Sequence, residues 1–264
     1  VLEGQASNLS LSVHILSSAL SLRPADAMGH WHMGEAFIQM GFYEAAIACF
    51  RRARHGNPQF IDACVREGNL LRDTGHPAEA MVPYLQADGI NPLHADVQFS
   101  IGNIYKAAFK IDRAISYFRK SIVARPEHPD AYVNLGNSFK DLNQLDAALA
   151  SLQYAAELQP GNLKSLFNQS LIYLLQGNFK RGWPLFETRW EVLLRDQVRV
   201  FRKPRWYGSE ALSGRTIFVY PEQGLGDTLQ FCRYLPILAS MGARVIFESP
   251  SELRGLMQGL KGAI

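Results

Sequence analysis

The residues most suited to chemistry lie in YPEQGLGDTLQFCRYLP, Tyr220 to Pro236. A strand-like run, RTIFVY, leads into this stretch, and an amphipathic run follows it. A glycine-rich turn between a strand and a helix is a common ligand cradle, because glycine lets the backbone come close to a bound group. Gly224 and Gly226 would do this, with Glu222, Gln223 and Thr228 beside them, and a helix starting at Thr228 would favour a negatively charged group nearby. Asp227 stands just before that helix, with Gln230 three residues on, which is the spacing of a capping box. GLGDTL departs from the dinucleotide fingerprint, since Leu229 occupies the third glycine position. Glu248, at the end of the next strand-like run, would otherwise fit the ribose-binding acid.

No other constellation points to catalysis. The seven histidines form no HExxH or paired ligand spacing, and His30 and His32 flank Trp31 on different sides of a helix, so no metal is expected. Cys49, Cys64 and Cys232 are an odd set without CxxC spacing, which suggests buried thiols in a reducing compartment and a cytoplasmic location. With 27 basic and 24 acidic residues, the net charge of +3 selects neither nucleic acid nor a membrane surface. No apolar run approaches the roughly 18 residues needed to span a bilayer, and the start, VLEGQASNLS, does not read as a signal peptide.

The elements before this stretch are organised differently. Gly34, Gly68, Gly102 and Gly136 are spaced by 34 residues. Ala46, Ala80, Ala114 and Ala148 keep the same spacing, as do Phe50, Tyr84, Phe118 and Leu152, and Pro58, Pro92, Pro126 and Pro160. A shared period at four positions in four copies is the signature of a repeat architecture. It resembles the tetratricopeptide repeat (TPR), in which each unit is two antiparallel helices that bury their apolar faces only by stacking on neighbours. The glycine and the alanine would sit where the two helices cross, with the aromatic or leucine filling the space beside them. The proline would end the second helix.

The expected organisation is a partial repeat over 1–26, full repeats over 27–60, 61–94, 95–128 and 129–162, and a divergent capping repeat over 163–196. A linker over 197–214 follows, and then an α/β region over 215–264. In the partial repeat, the end of a first helix should precede a second helix within SNLSLSVHILSSALSLRP. In the capping repeat, Gly182 replaces the alanine, Pro184 falls inside the second helix, and Trp183 and Trp190 are expected in the core. Arg199, Arg202, Lys203 and Arg205 in the linker read as a solvated turn or, alternatively, as a phosphate contact.

The resemblance also implies a concave face. Asn69, Asn103 and Asn137 fall in register there, as do Arg72, Lys106 and Lys140 one turn further on; Asn134 joins them from an adjacent position. A row of amides carries both donors and acceptors and could pair with the backbone of an extended peptide; equally, it could be a polar face that keeps the solenoid solvated. O-linked N-acetylglucosamine transferases have similar inward asparagines on their TPR superhelices. The carboxylate clamp of chaperone-binding TPRs is not matched, since Trp31, Val65, Phe99 and Val133 stand at one of its positions.

From 215 the period changes. RTIFVYP and ARVIFESP read as strands, with a helical run over 228–242 that should bend or break at Pro236, and SELRGLMQGL as a second helix. The expected fold is therefore mainly α: a TPR α–α superhelix followed by the first βαβα part of a Rossmann-like α/β domain. GNFKRGWPLFETRW, PRWYG, LSGRTIFVYPEQGLGDTLQFCRYLP and GARVIFE together resemble bacterial TPR-containing glycosyltransferases, whose C-terminal part is similar to the heptosyltransferase family. That resemblance implies a nucleotide-sugar donor, a protein or glycan acceptor, no obligatory cofactor or metal, and Asp227 as catalytic base; the alternative is a non-catalytic scaffold. Only 50 residues follow from Arg215 on, too few for a two-lobed transferase, and the chain starts at Val1 rather than Met. A fragment of a longer protein, itself inactive, is expected.

Overall fold

The computed structural model describes residues 2–194, 199–222 and 224–263, with side chains from residue 9 onward. It divides into two compact units, 1–198 and 199–264.

The first unit is all helical. α1 spans Leu2–Leu22. Helix pairs follow: α2 (Ala27–Gln39) with α3 (Tyr43–Gly56), α4 (Ile61–Asp73) with α5 (Pro77–Ile90), α6 (Ala95–Ala107) with α7 (Ile111–Ala124), and α8 (Pro129–Asp141) with α9 (Leu145–Leu158). α10 (Leu163–Leu175) pairs with a shorter α11 (Phe179–Phe186), and α12 (Arg189–Val192) ends the series. From α1 to α11 each helix packs on the next, as stacked pairs must if their apolar faces are to be buried, and α12 packs back on α10.

The 34-residue columns explain this packing. Ala46, Ala80, Ala114 and Ala148 are fully buried, as are Phe50, Tyr84, Phe118 and Leu152. A Cβ on Gly34, Gly68 or Gly102 would stand 2.7, 2.6 or 2.6 Å from the ring of Phe50, Tyr84 or Phe118, and one on Gly136 would stand 2.8 Å from Leu152. Only a residue without a side chain admits the partner helix at this distance. The four prolines act as expected. Each second helix ends two residues earlier, and the residue between (Asn57, Asn91, Arg125, Gln159) is extended, with φ −143 to −132° and ψ 88 to 97°.

A fifth column emerges at the end of each first helix. Gly41, Gly75, Phe109, Asn143 and Gly177 all have positive φ. In each case the next residue's N–H reaches back to a carbonyl five residues earlier, as from Lys110 to Tyr105 at 2.9 Å. This is the Schellman closure, whose left-handed residue is usually glycine and sometimes asparagine.

Two expectations for this unit, on α1 and on Trp183, need correction. α1 is one continuous helix, with no separate remnant of a first helix among the described residues. α11, which carries Pro184, has 8 residues where the preceding second helices have 14, although α5 accommodates Pro83 at full length. Trp183 is 55 % exposed and stacks beside Phe179 instead of entering the core. On so short a helix it has no covering neighbour.

The second unit contains β1 (Thr216–Val219), α13 (Leu225–Phe231), α14 (Leu235–Ser240), β2 (Arg244–Phe247) and α15 (Arg254–Met257). The strands pair in parallel, Thr216 opposite Arg244 through Val219 opposite Phe247, and an isolated parallel bridge joins Val245 to Ala263. Val245 and Leu235 are buried, while Phe218 and Ile246 are exposed. The helical run over 228–242 breaks, as expected at Pro236, into two helices separated by a 3-10 turn at Cys232–Tyr234. The expected helix over 251–260 is a 3-10 turn, Ser251–Leu253, and then the one-turn α15. The fold is thus an all-α repeat solenoid followed by a small two-stranded sheet region.

No described helix is long and apolar enough to cross a membrane.

Candidate functional site

In the solenoid, the residues read as a peptide-facing row are drawn into internal contacts that fix their orientation. The Tyr84 hydroxyl donates to Oδ1 of Asn69 at 2.7 Å. Nδ2 of Asn134 donates to Oδ1 of Asn103 at 2.7 Å. Oδ1 of Asn137 is buried and meets no donor among the described residues. Arg72 holds Asp73 at 2.9 Å and reaches Oγ of Ser100 at 3.2 Å. Lys106 lies 3.9 Å from Asp141, and its partial burial lowers its pKa. No carboxylate lies within 4 Å of Lys140 among the described residues.

Asn103, Asn134 and Lys106 come together in one groove of about 670 Å³, which Ala107, Phe109, Ile111 and Asp141 complete. Asn69 lines a separate groove of about 360 Å³ with Arg66 and Asp73. Arg72, Asn137 and Lys140 line neither of these two. Sequence reasoning missed Phe109 and the Tyr84 hydroxyl. The signal for Phe109 was available: it is the aromatic exception in a column otherwise of glycine and asparagine.

In the second unit, Gly224 is the N-cap of α13, with φ −36° and ψ 166°. The first helical bond runs from the Thr228 N–H to the Gly224 carbonyl at 3.2 Å, so the helix begins at Leu225, not Thr228. Asp227 is therefore inside the first turn and exposed, and the capping box does not form. An acid there interacts favourably with the helix start without capping it. Thr228 is buried, and its hydroxyl also donates to the Gly224 carbonyl at 3.2 Å, so it braces the turn. Among the described residues, a Cβ on Gly224 or Gly226 would meet nothing within 4 Å, and neither glycine has positive φ. Glu222 is half-buried beside this turn. Gln223 lies outside the described residues.

Arg199 is exposed, as a solvated turn implies, but it is also paired. Its guanidinium bonds both oxygens of Glu248, at 2.8 and 3.1 Å, and lies 4.9 to 5.9 Å from the ring centres of Tyr220, Phe201 and Phe218. The hydrogen bond from Arg199 holds the Glu248 carboxyl below the usual carboxylate range. The acid considered for ribose binding thus already has a partner. Among the described residues no group of three or more His, Cys, Asp and Glu side chains could hold a metal.

The tetratricopeptide repeat profile matches residues 32–94, 99–162 and 133–186, more than half of the sequence. The chain belongs to the tetratricopeptide repeat family. Protein FlbA of Caulobacter vibrioides is 28 % identical over 238 residues, covering 88 % of this chain; the chain spans 39 % of that relative's length. Among solved structures, MamA aligns with a TM-score of 0.59 at 16 % identity, covering 67 % of this chain and 98 % of its own. YrrB, described as a TPR protein with an unusual peptide-binding site, aligns with a TM-score of 0.59 at 16 % identity, covering 68 % and 92 %. At such identities the likeness establishes the TPR fold.

Proposed function

We propose that this chain is a protein-interaction scaffold whose concave groove takes an extended peptide segment. One observation carries the reading. Tyr84 and Asn134 occupy the oxygens of Asn69 and Asn103, so the amide nitrogens of both are left as donors one repeat apart. Donors at that interval suit the carbonyls of a main chain and ignore its side chains. Arg72, Lys106, Asn137 and Lys140 extend the polar face. The description of YrrB as a peptide binder accords with this use of the fold. The test is binding of the 264-residue chain to an array of unrelated peptides, compared with Asn69→Ala plus Asn103→Ala. Loss of binding by about tenfold or more across sequences is expected; an unchanged array would reject the ladder.

A second reading keeps the resemblance to heptosyltransferases: the second unit opens a sugar-transferring lobe in a longer protein, after a connecting segment at 197–214. It is favoured by Gly224 and Gly226, which neither packing nor backbone conformation requires, so an approaching ligand would account for them. In this reading Glu222, Gln223, Gly224, Gly226 and Thr228 form the cradle, and the exposed Asp227 takes the proton from the acceptor hydroxyl. Asp227→Asn in the full-length protein should abolish transfer from a nucleotide-sugar donor without moving the melting midpoint. Transfer that survives the change would remove Asp227 from the chemistry.

A further inference from the structure

Phe109 is the one residue in its column that its conformation does not suit. Its φ is 55°, in the left-handed region, where a bulky L-residue is strained. The four equivalent positions hold glycine or asparagine. Its ring is 89 % exposed, so it contributes almost nothing to packing. Neither the closure of the helix nor the core has a use for phenylalanine here. Strain of this kind persists where the side chain serves something outside the fold.

The surroundings indicate what that is. Phe109 and Ile111 give the groove between the third and fourth repeats an apolar rim, and Ala107 leaves space beside them. In the fourth repeat the residue equivalent to Ala107 is Asp141, which instead faces Lys106 at 3.9 Å. That pairing leaves no net charge for an occupant to balance. Asn134 uses its nitrogen on the oxygen of Asn103. The nitrogen of Asn103 and the oxygen of Asn134 therefore remain, one donor and one acceptor, which matches the carbonyl and N–H that one residue of an extended chain presents on the same side.

We propose that this groove is a side-chain pocket for a bulky uncharged apolar residue of an extended peptide, with Phe109 as the specificity-determining residue at its rim. The proposal rests on the reading of the concave face as a peptide site. It adds the class of sequence selected: an apolar anchor flanked by main chain that the asparagine pair holds.

The probe is a positional-scanning dodecapeptide library, with one position fixed in turn as Phe, Leu, Ser or Asp, titrated against the 264-residue chain and against Phe109→Asn. Asparagine is what the fourth repeat uses at this position, as Asn143, so the variant should melt at the same or a higher temperature. The expected result is tighter binding of the Phe- and Leu-fixed pools, with that preference falling about tenfold in the variant. A melting midpoint that does not fall excludes a structural cause for the loss. Binding by the wild type without apolar preference, or a preference that survives Phe109→Asn, overturns the pocket and leaves the peptide reading standing. Binding of no pool overturns both. Self-association by sedimentation that disappears in Phe109→Asn would assign the groove to a second copy of the chain and overturn the peptide occupant.

Discussion

A Cβ added to Gly102 would stand 2.6 Å from the Phe118 ring; one added to Gly226 would meet no described residue within 4 Å. The solenoid and the second unit use the same residue for opposite reasons. In the repeats glycine is dictated from inside, by a neighbour that fills the space. In the strand-to-helix turn no internal neighbour dictates it. Charge divides in the same way. Glu67 is 1 % exposed and bonded by Arg51 at 2.9 Å and Arg54 at 2.7 Å, whereas the Arg199–Glu248 pair is 44 % exposed on both sides. The contrast teaches where substitutions should register as stability and where only as function.

Glu67 should give the largest effect. Removing the buried carboxylate leaves Arg54, itself largely buried, without its counter-charge, while the half-exposed Arg51 still has Glu79 at 4.0 Å; the cost is up to about 3–5 kcal/mol. Glu67→Ala should lower the unfolding free energy measured by urea denaturation by that margin, with a lower midpoint, and Glu67→Gln should lower it by less, because the amide oxygen still accepts from an arginine. Glu248→Ala should leave the midpoint where it was. A comparable loss from both substitutions would break the contrast, because the exposed pair would then support the fold as strongly as the buried one.

Gly102→Ala comes next. The methyl group must displace the Phe118 ring from a fully buried position, which costs about 1–3 kcal/mol as overpacking. Gly226→Ala should instead be neutral or gain up to about 1 kcal/mol, since it replaces glycine within a helix. Thermal melts of the two variants against wild type decide the matter. A destabilised Gly226→Ala would reveal a packing role for that glycine and weaken the case for a ligand beside it.

How much of this was legible beforehand depends on whether the cause is periodic. The crossing glycines, the alanines and the rings opposite them recur every 34 residues, so the repeats could be read from spacing. The prolines that end each second helix could be read in the same way. The two strands were legible from β-branched and aromatic runs bounded by glycine and proline. Asp227 was placed wrongly because Gly-Asp-Thr carries the composition of a cap. The bond that decides the helix start, Thr228 to Gly224, leaves no trace in residue type. Arg199 and Glu248 are 49 residues apart and pair through the fold, not through any local pattern. Trp183 looked like core because tryptophan usually is; the short α11 leaves it uncovered. Phe109 was visible in principle, but only once its column is known to need a left-handed backbone.

The thiols extend the contrast at smaller cost. Burial raises the pKa of Cys49, and that of Cys64 to about 11, whereas Cys232 is half-exposed. A thiol-reactive dye at pH 8 should therefore label Cys232 promptly, and label the two solenoid cysteines only as the repeats unfold, since the thiolate is the reacting form. Prompt labelling of Cys64 would mean that the second repeat opens locally without global unfolding.

The smallest expected effect is a pH dependence confined to the contact between the third and fourth repeats. The His128 ring lies tilted against Phe99, with centres 4.8 Å apart, and its Nε2 is buried without a partner among the described residues. Burial lowers its pKa, nearby Arg125 lowers it further, and Asp96 and Asp130 only partly oppose this. The unfolded chain therefore binds the proton more readily than the folded one. Stability from this residue is complete above the unfolded pKa of about 6.5 and is lost as pH falls from there through the lower folded value. Melting midpoints of wild type and His128→Gln, compared from pH 8 to pH 5, should converge toward the acid end, because the variant lacks this proton uptake. Parallel curves would show that the ring is as easily protonated in the folded repeats as in the unfolded chain, and that the aromatic contact with Phe99 survives the charge.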